Sequence, residues 1–88
     1  MKLTMDVNIV ASGKHLGIAR KEFETNLLPY EGLEIEDTAW KDPITILSVV
    51  ISYQSEYIYV ALEENNIIKE DKYETIKKMF IGHGWQIL

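Results

Sequence analysis

The chain has no cysteine, so disulfides, thiolate metal sites, iron–sulfur clusters and cysteine nucleophiles are all excluded. That absence fits a reducing compartment, and a cytoplasmic protein is the expectation. Histidine is scarce as well. His15 and His83 are the only two, and neither forms an i, i+4 pair or lies beside a carboxylate at ligand spacing, so no metal site is expected. No Gly-x-Ser-x-Gly elbow occurs. "ASGKHLG" contains a Gly-Lys pair, but the positions a phosphate loop needs for its first glycine and its final serine or threonine hold Asn8 and His15. No catalytic constellation, cofactor motif or nucleotide motif is therefore read from the sequence, and the chain is expected not to be an enzyme.

Long apolar runs are missing too. "MKLTMDVNIV" alternates where a signal peptide would have a continuous apolar core, and nothing approaches a membrane-spanning length. Positive charge is in deficit: nine Lys and Arg face fourteen Asp and Glu, for a net charge of -5. A phosphate backbone or an anionic lipid surface attracts clustered cations, so neither nucleic acid nor membrane is an expected partner.

What is present is a hydrophobic fraction of 47% spread in short runs over 88 residues, enough for one domain spanning residues 1–88. Lys2 to Ala11 alternates Leu3, Met5, Val7, Ile9 and Ala11 with polar residues, the period of a strand with one buried face. Ser12 to Lys14 reads as a hairpin turn. The return segment fits two periods, because Leu16, Ala19, Phe23 and Leu27 also share a helix face. Gly17 tilts the reading to a strand, with Leu16 and Ile18 opposite Ile9 and Val7. That register buries Arg20 and Glu22 unless a bulge near Arg20 and Lys21 turns Phe23 inward.

"LEIED" predicts a short strand, with Leu33 and Ile35 inward. "ITILSVVISY" and "YIYVALE" predict the strongest hairpin, pairing Ile51 with Ile58, Val49 with Val60 and Leu47 with Leu62. Its second face bears Val50, Tyr57, Tyr59 and Ala61 and is apolar enough to need cover, either from the N-terminal hairpin folding over it or from a second subunit. "DKYE" matches a capping box, with Asp71 as cap and Glu74 reaching back, opening a helix whose stripe is Tyr73, Ile76, Met79 and Phe80 and which Gly82 would end. The fold expected is α+β: an antiparallel sheet of about five strands with a C-terminal helix packed on one face.

Charge is uneven along the chain. Residues 31–42 carry Glu31, Glu34, Glu36, Asp37 and Asp42 against Lys41 alone. Trp40 lies in their midst, either closing the end of the core or anchoring a partner. The functional expectation is a small acidic binding protein that docks on a larger macromolecule as an inhibitor or regulator, a role compact acidic proteins fill, including those of phages and mobile elements, by analogy of size and charge. Trp40 would be the anchor and Glu36, Asp37 and Asp42 an acidic rim, matched to a protein partner with a basic surface. The alternative is a small-ligand or nucleotide-sequestering protein, with a pocket at a homodimer interface built from Tyr57, Tyr59, Lys14 and Arg20.

Overall fold

The computed structural model describes residues 1–67 and 69–88. Seven strands run in chain order: β1 Lys2–Ala11, β2 Lys14–Glu24, β3 Glu34–Ile35, β4 Ile44–Ser52, β5 Tyr57–Leu62, β6 Asn65–Ile67 and β7 Gln86–Ile87. One helix, α1 Tyr73–Gly82, follows a 3-10 turn at Glu70–Lys72. The strands form one mixed sheet in the order β3-β4-β5-β1-β2-β7, with β6 also beside β1. The expected α+β class holds, but the sheet is larger than five strands and is not purely antiparallel. β1 pairs parallel with β5 and again with β6, flanking it with strands from the far half of the chain.

This arrangement explains two departures from the pattern read in the sequence. The N-terminal hairpin does not fold over the tyrosine face; it lies edge to edge with β5 in the same sheet. Its register also differs. A bulge opposite Ile9 and Val10, next to the turn, pairs Ile9 with Gly17 and Val7 with Ala19. The phase shift expected near Arg20 thus occurs earlier, in the first residues of β2. Gly17, Ala19, Lys21 and Phe23 then share a face with Ile9, Val7, Met5 and Leu3. Residues 14–24 are strand, which settles the helix alternative for this stretch.

A second bulge sits in β4. Ile51 opposes Ile58 and Val49 opposes Val60, but Leu62 pairs with Ile46 and Leu47 is turned out to solvent. The core lies on one side of the sheet and contains Leu3, Met5, Val7, Ile9, Ile58, Val60 and Leu62. Phe80 of α1 and Trp85 close it.

The helix starts later than the capping-box reading places it. Asp71 lies in the 3-10 turn, the residue before α1 is Lys72, and no side chain caps its amides. Glu74 instead pairs with Lys77 at 2.9 Å. Gly82 is the last helical residue, and the positive φ of 89° that reverses the chain belongs to Gly84. The Trp85 amide then donates back to the Phe80 carbonyl at 3.0 Å, and the short β7 pairs with β2 at Ala19 and Arg20. Tyr73 crosses β2 at Gly17, where any Cβ would collide with the phenol. None of the helices is long and apolar enough to cross a membrane among the described residues.

Candidate functional site

The acidic segment is held from several sides. Lys21 points from β2 toward the core side of the sheet, where an amine is tolerable only with a partner. Its Nζ donates to Asp37 Oδ2 at 2.8 Å and to the His83 carbonyl at 3.1 Å, and lies 5.5 Å from the Trp85 ring centroid. Asp37 Oδ1 accepts from the Ala39 amide at 2.9 Å and from the Trp85 indole N–H at 3.1 Å. Burial raises the Asp37 pKa, but the Lys21 ammonium and these donors outweigh it and hold the carboxyl below its ordinary value. Thr38 Oγ1 is 2.9 Å from His83 Nδ1.

Trp40 is half-buried. Its ring meets Trp85 at a centroid distance of 5.4 Å, and its N–H donates to the Ile35 carbonyl at 3.0 Å. The indole packs on the core, and Trp40 also lines an open hollow with Thr38, Lys41 and Pro43. Glu36 and Asp42 are exposed, whereas Asp37 is occupied inside. Of the three carboxylates read as a rim, Glu36 and Asp42 alone are therefore exposed, with Glu31 and Glu34 exposed on the same segment.

The second predicted set is only partly brought together. Asp6, Arg20 and Tyr59 meet on the face of the sheet away from the core. Arg20 binds Asp6 with both a 2.7 Å and a 2.8 Å hydrogen bond, and the Tyr59 hydroxyl donates to the same carboxylate at 2.7 Å. Burial works against the Asp6 charge, yet Arg20 and Tyr59 hold its pKa below the ordinary value. Asp6 in turn raises the pKa of Tyr59 and that of Arg20. Tyr57 lies one step along the same face. Lys14 is remote, paired with Glu70 at 2.9 Å beyond the hairpin turn. Arg20 and Tyr59 thus have their polar groups committed to Asp6, a residue the sequence reading left unremarked because the register read there sets Met5 opposite Arg20; the bulge next to the turn brings Asp6 there instead.

Sequence reasoning missed a cleft of about 390 Å³ between the core face of the sheet and the 25–36 segment. Leu3, Met5, Ile46 and Val60 form its floor, and Leu33 and Ile35 one wall. Phe23, Leu27 and Leu28 stand at its mouth, with Leu27 79% and Leu28 59% exposed. Lys21, Glu36 and Asp37 lie at its charged end. The available signal was "NLLPY", an apolar run in a proline-bearing loop where polar residues are the norm. The volume falls within the roughly 300–1,000 Å³ typical of ligand pockets, and an apolar mouth this exposed is a common mark of a contact surface. Compared with models of known protein families, with curated proteins and with solved structures, the chain matches none.

Proposed function

We propose that the chain is a non-enzymatic binding protein that docks on a protein partner through this cleft and the acidic segment beside it. The observation that carries the reading is the exposure of Leu27 and Leu28 at the mouth of an apolar cleft. Each leucine transferred from water contributes roughly 1.5–3 kcal/mol, so a partner covering both gains a substantial part of its affinity there. The surrounding charge selects the partner. Glu31, Glu34, Glu36 and Asp42 are exposed on the neighbouring segment, while Lys21 is already neutralised by Asp37. A segment with apolar side chains flanked by lysine or arginine fits both features. Inhibition or regulation of that partner is the role such docking serves, and Trp40 contributes its outer edge to the contact.

A small-ligand binder is the second reading, favoured by the cleft volume. It needs no oligomer, because one chain forms the cleft. A nucleotide suits it poorly, since the charged end bears Glu36 and Asp37 against a committed Lys21.

The test is an NMR titration with a designed amphipathic helix of leucine and lysine, using a leucine–glutamate helix as control. The basic helix should shift resonances of Leu3, Met5, Phe23 and Ile35, and Leu28→Asp should weaken binding about tenfold or more, equivalent to about 1.4 kcal/mol. Equal response to both helices, or none to either, would reject the proposal.

A further inference from the structure

The outer edge of β4 is covered at one end only. β3 pairs with Ile44 and Thr45, and Gly32 and Leu33 extend that cover to Ile46 through two backbone hydrogen bonds. From Leu47 to Ser52 no strand lies on that side among the described residues, while β5 takes the other. An open edge offers a row of N–H and C=O groups to any strand that can lie beside it, and proteins usually blunt it with lysine, proline or inward-pointing charge. "LSVVIS" has none of these. The bulge at Leu47 disrupts the start of the edge, but Ser48–Ser52 keep a regular register with β5. Leu47 and Val50 are 52% and 53% exposed.

We infer that this edge associates with a second copy of the chain, β4 pairing antiparallel with β4 across a two-fold axis through Ser48–Ser52. The strip itself argues for a second copy: a net charge of -5 on each chain opposes association over most of the surface, whereas Leu47–Ser52 carries no charge and meets its match in the same strip of another copy. Antiparallel pairing about a two-fold axis is self-complementary by construction, and the β-branched Val49, Val50 and Ile51 are residues that favour cross-strand contact. β3 occupies the same row as the incoming strand, so pairing stops at Leu47. The partner's turn after Ser52 leads back toward its own β5 and away from that obstacle. So short a pairing makes the dimer concentration-dependent.

The absence of cysteine supplies a clean test. Cysteine variants across Ser48–Ser52, alone and mixed in pairs, should form disulfide-linked dimers of twice 10.2 kDa on oxidation. Directly opposed residues in an antiparallel pair bring their Cα atoms to about 4.5–5.5 Å, within disulfide reach. Sedimentation at high micromolar concentration should show a dimer, and raising the concentration should slow hydrogen exchange about tenfold or more at the alternate amides of residues 48–52 that face the open edge, as they gain partners. Val50→Lys, at an exposed position, should keep the circular dichroism of the parent and abolish the dimer. A monomer at high micromolar concentration would overturn the inference. So would a dimer cross-linked by Tyr57→Cys with unchanged exchange at 48–52, which would mean that the tyrosine faces stack instead.

Discussion

The indole N–H of Trp85 donates to the Asp37 carboxylate at 3.1 Å, fastening the acidic segment to the residue that closes the core beyond α1. Lys21 completes the arrangement from β2. Asp37→Ala removes the acceptor for three donors at once and leaves the Lys21 ammonium facing the indole unneutralised. The expected cost is about 2–3 kcal/mol, below that of a fully buried pair because Lys21 retains some contact with water. Urea denaturation of the variant measures it.

Acid should expose the same dependence. Asp6 and Asp37 are both held below the ordinary carboxyl value of 3.8, burial opposing and the cations and donors prevailing. A carboxyl depressed in the folded state contributes stability that is complete above its unfolded value and lost as pH falls through the folded value. Stability from these two groups should therefore decline below about pH 4, and a double Asp6→Asn, Asp37→Asn variant should show a flatter urea midpoint against pH in that range.

Trp40 packs against the core without being enclosed by it. Trp40→Ala forfeits the contact with Trp85 and part of the core cover but leaves no deep cavity, so we expect a stability loss of about 2 kcal/mol, less than the 3–5 kcal/mol of a fully buried aromatic. Thermal melting with calorimetry decides this, and an unchanged melt would mean that the indole is held only loosely.

Gly17 leaves the room that the Tyr73 phenol occupies. Gly17→Ala should destabilise by about 1–3 kcal/mol through overpacking, and the cost should shrink in a Tyr73→Leu background, where the hydroxyl is gone. A double-mutant cycle by denaturant unfolding reports the coupling; additive losses would show that the clash is relieved elsewhere.

Asp71→Ala provides a control. Since Asp71 caps nothing in the 3-10 turn, its removal should change stability by less than about 0.5 kcal/mol. A loss near 1 kcal/mol in urea titration would restore the capping-box reading.

Much of the fold was legible where a local period carried it: the alternation of β1, the β4–β5 hairpin and the apolar stripe of α1. What periodicity could not convey was which strands become neighbours. Two β-branched hairpins in sequence are equally compatible with stacking face to face and with joining edge to edge, and only the parallel register of Lys2 with Tyr57 distinguishes them. Bulges were misplaced for a related reason. A single extra residue at Leu16 or Leu47 leaves the composition of a strand unchanged while altering every pairing beyond it. In the candidate site, the acidic segment stood out by composition, but the commitment of Asp37 depended on Lys21 and Trp85, which approach from opposite ends of the chain. The cleft was hidden for the same reason, its floor and mouth being drawn from separated segments.

The parallel seam between β1 and β5 also has a consequence for synthesis. β1 is translated before the residues that complete its second side, so the β1–β2 hairpin emerges from the ribosome with one flank of the future central strand bare. That flank stays unpaired until Tyr57–Leu62 and Asn65–Ile67 have been made. The nascent chain thus passes through an interval in which Leu3, Met5, Val7 and Ile9 lack their later neighbours, the kind of exposed apolar surface that favours association before folding is complete.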